Sequence, residues 1–245
     1  MDTANYPNVL FWALVGGILP ALVWLLFWLR EDKKHPEPKG LIALAFIAGM
    51  VAVPLVLPFE LAASNLARPF ELLFEGLFSQ PIFLTFFLWA CLEEVFKFTA
   101  SYIAVLRRKE VDEPVDIAIY LITTALGFSA IENAFFLLSP LLHNDWMGSV
   151  ISGNLRFVGA SLLHVLSSAI VGMFIGMAFY KGKEARRASA FWGLALAIIL
   201  HALFNLFIIE NDGAYTFVVF ASVWVAIIVL MLFFQKIKKV RRVTL

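Results

Sequence analysis

The chain has 245 residues, 62% of them hydrophobic and 15% charged, with a mean hydropathy of +0.88. A soluble domain needs more polar surface than this, so the composition excludes one. The net charge is +1 and the basic residues are dispersed between apolar runs, which leaves no pooled basic face for nucleic acid.

No Lys or Arg precedes the first apolar run, Val9–Leu29. Its 21 residues exceed the 7–15 of a signal-peptide core, so a retained membrane-spanning segment is expected. About 20 apolar residues cross a hydrocarbon core as a helix. By that measure seven spans are predicted, near 9–29, 40–58, 81–106, 115–138, 154–180, 188–209 and 214–234. Pro20, Pro54 and Pro58 kink or end their helices, which membrane packing tolerates. Residues 59–80 are too polar to span. Glu71 and Glu75, four apart among Phe and Leu, predict a short helix at the interface. The single cysteine, Cys91, excludes an internal disulfide and leaves the redox compartment undetermined.

Of the 19 basic residues, 16 fall in the connections after spans one, three and five and in the tail. The exceptions are Arg68, Arg156 at a helix start, and Lys97 inside a span. The positive-inside rule then puts the N-terminus outside and the C-terminus in the cytoplasm. The expected architecture is an all-α integral membrane protein, a single membrane domain over 1–245, with about seven transmembrane helices.

Several spans carry residues that lipid disfavours: Glu93, Glu94 and Lys97 in span three, Glu132 and Asn133 in span four, His164 in span five, His201 and Asn205 in span six. An ionised group at mid-bilayer costs about 2.5–3.5 kcal/mol on insertion scales, so such groups face a bundle interior with partners. At 1.5 Å per residue their predicted depths agree to within about 10 Å, in the middle-to-outer zone, so one site is geometrically open to them. Lys97 stands three and four residues from Glu94 and Glu93 and neutralises only one of them. With Glu132, about two negative charges are left over, to be protonated, paired with Arg156, or met by a divalent cation. Imidazoles and carboxylates are ordinary zinc ligands, and a nearby carboxylate takes a proton from bound water. His201 and Asn205, four apart, share a helix face, where the Asn amide is placed to donate to a developing oxyanion.

Each residue alone also has a plain structural role. A Glu–Lys pair is often structural, a lone His bonds across to a neighbouring helix, and Asn133 and Asn205 suit interhelical hydrogen bonds. Cys91 suits packing, as do Gly172, Gly176 and Ala178. The joint arrangement carries the functional reading. Other peptidase chemistries fit poorly: the Asp residues, at 2, 32, 112, 116, 145 and 212, are not deep in any span, and no His-Glu-x-x-His occurs. Gly127-Phe128-Ser129-Ala130-Ile131 lacks the last small residue of a nucleophile turn.

In their order on successive spans, Glu93-Glu94-x-x-Lys97, Phe128-x-x-x-Glu132-Asn133, His164 and His201-x-x-x-Asn205 resemble the PrsW family of intramembrane proteases. The resemblance covers roughly 80–210, the expected catalytic core. The chain is similar, more distantly, to the CAAX-type prenyl-protein endopeptidases and their immunity-type relatives. Those carry His where Glu132 stands here. The resemblance implies a bacterial plasma-membrane endopeptidase cutting a single-span protein of the anti-sigma-factor type near its extracytoplasmic side. It implies Glu93 or Glu94 as water activator, Glu93 preferred by analogy, Lys97 setting their charge, and Asn205 completing the catalytic set. It makes a zinc triad of Glu132, His164 and His201 plausible beside a metal-free glutamate mechanism. A proton- or ion-coupled carrier using the same cluster as a relay is the rival reading, though no inverted repeat accompanies it. A binding or immunity protein that captures a partner helix is a third.

Overall fold

A computed structural model describes residues 6–32, 35–73, 83–209 and 215–240. The described residues form helices joined by turns, without a strand. They are α1 (Tyr6–Trp28), α2 (Lys39–Leu73), α3 (Phe83–Ser101), α4 (Pro114–Leu142), α5 (Trp146–Leu155), α6 (Ser161–Met177), α7 (Lys183–Ile209) and α8 (Thr216–Ile237). Single π turns at Tyr102–Leu106 and Arg156–Ala160 extend α3 and join α5 to α6. Six stretches are long and apolar enough to cross a membrane: α1, α2, α4, the run Trp146–Met177, α7 and α8. The protein is a multi-pass membrane protein. α3 falls outside that set because Glu93, Glu94 and Lys97 lie within its 19 residues.

α4 is the central post. In its most apolar window 94% of residues are buried, against 22% in α8, because α1, α2 and α6 pack around it. Its start is set locally. Pro114 supplies the first helical residue, and Asp116 Oδ2 accepts the backbone N–H groups of Asp112 (2.9 Å) and Glu113 (2.7 Å). At its far end Asn144 takes a positive φ of 57°, and Asp145 caps α5 by accepting from the Gly148 N–H at 2.8 Å. That cap explains why the fifth predicted span begins at Trp146 rather than near 154.

The segment after Pro58 also differs from expectation. α2 does not end there; it runs unbroken through Pro54, Pro58 and Pro69 for 35 residues. Tertiary bonds to α3 hold this continuation. Trp89 Nε1 donates to the Glu60 carbonyl (3.0 Å) and to Ser64 Oγ (2.9 Å), and the Thr85 N–H donates to Glu71 Oε1 (2.8 Å). Glu71 is therefore a bond acceptor for α3 rather than part of a separate interfacial helix. Glu75 lies outside the described residues.

α2 and α4 cross in backbone contact. A Cβ added at Gly49 would strike the Thr124 carbonyl, and one added at Gly127 would strike the Phe46 carbonyl. Each glycine faces the other helix's main chain, which cannot rotate away as a side chain can. Gly127→Val should push the two helices apart and lower the melting temperature in detergent by about 5–10 °C. An unchanged melting curve would show that the crossing is not tight.

Candidate active site

Four helices deliver the site. α3 carries Glu93, Glu94 and Lys97, which are 5%, 1% and 1% exposed. Glu132 comes from α4, His164 from α6 and His201 from α7. Lys97 follows Glu94 by three residues and Glu93 by four, which turns the three charged groups of α3 toward one side. The helices packed there answer them.

Glu94 Oε1 is the hub. It accepts from Lys97 Nζ at 2.5 Å, from His201 Nδ1 at 2.7 Å and from Ser167 Oγ at 2.9 Å. A carboxylate only accepts, so His201 Nδ1 bears a proton, and Nε2 is the nitrogen turned away from Glu94. Lys97 Nζ also lies 3.0 Å from His164 Nδ1 and 5.2 Å from the centre of the Phe128 ring. An ammonium only donates. His164 therefore accepts at Nδ1 and donates from Nε2 to Glu132 Oε2, 2.8 Å away. The two imidazoles stand edge to face, 5.1 Å apart.

Arg156 closes the more exposed end of the cluster. From the π turn before α6 it reaches Glu132 Oε2 at 2.7 Å and Asn133 Oδ1 at 2.5 Å. Asn133 donates in turn to Ser129 Oγ (3.2 Å) and Ser161 Oγ (3.0 Å). A π turn holds one residue more than an α turn and rotates the face that follows, a device frequent at functional sites. With Arg156 included, two cations meet three carboxyl groups, so one carboxyl is left without a cation rather than two.

That group is Glu93. Its Oε2 is buried without a hydrogen-bond partner among the described residues and lies 3.7 Å from His201 Nε2. Ligand atoms of Glu93, His164 and His201 all fall within 4.8 Å of one another. An orphaned carboxylate oxygen beside two imidazoles is a donor set of the kind that holds catalytic zinc, so these residues fit a metal. His201 is already oriented for it, because the Glu94 carboxylate fixes its tautomer from behind. His164 would join them by giving up its Nδ1 contact with Lys97 or its Nε2 bond to Glu132.

Of the anticipated zinc triad, Glu132 bonds His164 directly. His164 and His201 stand together, but the carboxylate beside them with a free oxygen is Glu93, while Glu132 is held by His164 and Arg156. Asn205 is half-buried and makes no hydrogen bond among the described residues. Ser167 was not anticipated. Its signal was present, since Ser161, His164 and Ser167 recur every three residues and form one polar stripe on α6.

Residues 37–233 match the family described as PrsW family intramembrane metalloprotease. The chain is also similar to proteins named Protease PrsW. That of Halalkalibacterium halodurans is 25% identical over 225 residues, covering 89% of this chain and 95% of the relative. That of Oceanobacillus iheyensis is 29% identical, covering 84% and 86%, and that of Bacillus subtilis is 26% identical, covering 96% and 99%. No solved structure matches.

The Arg156–Glu132 pair gives a direct test of the network. Removing one partner of a fully buried pair costs about 3–5 kcal/mol. These side chains keep 15% and 21% exposure, so Arg156→Met should cost about 1–3 kcal/mol of unfolding free energy. The loss in Arg156→Met/Glu132→Gln should be smaller than the sum of the single losses. Strict additivity in detergent unfolding would deny that the two groups are coupled.

Proposed function

We propose, from the premise that this chain belongs to the PrsW family of intramembrane proteases, that it hydrolyses a peptide bond of a single-span, membrane-anchored protein near the extracytoplasmic face. The chain is a membrane-embedded peptidase. The expected setting is a bacterial plasma membrane with the basic connections in the cytoplasm, and the expected substrate is of the anti-sigma-factor type. A carrier using the same groups as a relay is less well supported, because the family is one of peptidases.

The observation that carries the mechanism is the unpartnered Glu93 oxygen 3.7 Å from His201 Nε2. A water between them donates one proton to Glu93 Oε2 and is turned by the pair toward the scissile carbonyl. Glu93 holds the proton taken from the water and returns it to the leaving amine. Glu94, fixed by Lys97 and Ser167, positions His201 and does not itself meet the substrate. Lys97 donates to Glu94 and so fixes the carboxylate next to Glu93. Glu132 and Arg156 hold His164 in the tautomer that faces Lys97. Asn205, one helical turn from His201, is assigned to the oxyanion of the tetrahedral intermediate.

The same three residues support a second reading, in which Glu93, His164 and His201 hold a zinc ion. Bound there, the ion would supply Lewis acidity and lower the pKa of a coordinated water. The clustering of their ligand atoms and the family's description as metalloproteases favour it.

Purified protein should cleave a single-span test substrate in proteoliposomes. Glu93→Gln should lower kcat by at least about 10²-fold with an unshifted melting temperature. Cleavage by Glu93→Gln at the wild-type rate would end this assignment. Elemental analysis separates the two readings. About one equivalent of zinc per chain, lost in His201→Ala, supports the metal site, whereas a metal-free active preparation supports glutamate alone.

A further inference from the structure

Two apolar cavities of about 1130 and 580 Å³ open between α6, α7 and α8. They share Leu166, Val218, Ser222 and Ala226 and so form one groove. It exists because α8 rests on α6 and barely touches α7. The larger cavity alone exceeds the roughly 300–1,000 Å³ of an ordinary ligand pocket, and its lining holds no member of the polar network around Glu94.

The two ends of the larger cavity differ in charge. At one end its walls are Met177 of α6, Ser189 of α7 and Phe233 of α8. Each wall continues into a cation. Lys181 follows Met177 by four residues, Arg186 precedes Ser189 by three, and Lys236 follows Phe233 by three. Residues three or four apart share a helix face, so Arg186 and Lys236 extend the walls of α7 and α8 by one turn. Lys181 sits in the turn that ends α6, its N–H donating to the Ala178 carbonyl at 2.9 Å. All three side chains are exposed, and the Lys236 ammonium lies 5.8 Å from the centre of the Phe233 ring.

We propose that this groove binds one anionic phospholipid, with its acyl chains along the apolar walls and its phosphate among Lys181, Arg186 and Lys236. The charge pattern selects this occupant. Lys181, Arg186 and Lys236 belong to the basic connections that set the topology. They also put three cations at one end of this groove, which a transmembrane helix or a second copy of the chain would match only along the apolar walls. A phosphodiester matches both parts at once. Arg presents a fork suited to phosphate oxygens, Lys adds point charge, and basic pockets between transmembrane helices suit anionic headgroups. Adventitious lipid along a helix surface would show no headgroup preference. This site would.

Native mass spectrometry of the full chain, released from detergent with equimolar dioleoyl phosphatidylglycerol and dioleoyl phosphatidylcholine, tests the proposal. Wild type should retain the glycerol lipid at least about fivefold over the choline lipid. Lys181→Gln/Arg186→Gln/Lys236→Gln, which alters exposed side chains only, should remove that preference with an unchanged melting temperature. Ala226→Trp, which fills the groove, should reduce retention of both lipids. Equal retention of the two lipids by wild type, or an undiminished preference in the triple variant, would overturn the proposal. So would a dimer peak in place of lipid adducts that disappears in Ala226→Trp, which would put a second copy in the groove.

Discussion

A carboxylate removed from water must find donors within the fold, and Glu94 is where this protein meets that requirement most completely. One oxygen takes bonds from Lys97 on its own helix, Ser167 on α6 and His201 on α7. Leaving such a charge unmatched costs several kcal/mol, so α3, α6 and α7 are coupled through it and cannot shift independently. The same rule extends outward. Lys97 passes the constraint to His164, His164 passes it to Glu132, and Glu132 passes it to Arg156. The chain of bonds joins four helices and the π turn.

Packing makes that network affordable. α4 is buried along most of its length and brings Phe128, Glu132 and Asn133 to the polar side, while glycines let α2 approach its backbone. The Phe128 ring shields the Lys97 ammonium and lies 5.6 Å from the His164 ring. Low dielectric strengthens every bond inside this shell and makes an unfilled acceptor conspicuous. Within the polar cluster Glu93 is that acceptor. The fold satisfies Glu94 three times over and leaves the adjacent Glu93 oxygen open among the described residues.

The exchange between Glu132 and Glu93 has the same origin. Both carboxyl groups reach the histidine pair, but Arg156 pairs with Glu132, and no Lys or Arg among the described residues forms an ion pair with Glu93. Which carboxylate is free for chemistry depends on a residue of the π turn before α6, outside every recognised motif. The polar stripe on α6 works similarly: Ser161 bonds the amide of Asn133 and Ser167 bonds Glu94, so one helix face supports both ends of the site.

The amino-acid sequence alone determined the class of the molecule and which charged side chains and imidazoles turn inward. Apolar runs near 20 residues dictate membrane helices, and charges that lipid rejects at Glu93, Glu94, Lys97, Glu132, His164 and His201 must turn inward together, because burial cost acts on each of them locally. Tertiary structure alone decided the pairings. Whether Lys97 serves Glu93 or Glu94, whether Arg156 reaches Glu132, and whether α2 stops at Pro58 or runs on against Trp89 depend on distances between segments far apart in the chain. Helical periodicity gives the face a side chain occupies but not the neighbour across it, and in a low-dielectric interior the neighbour decides which charge is satisfied and which is left to react.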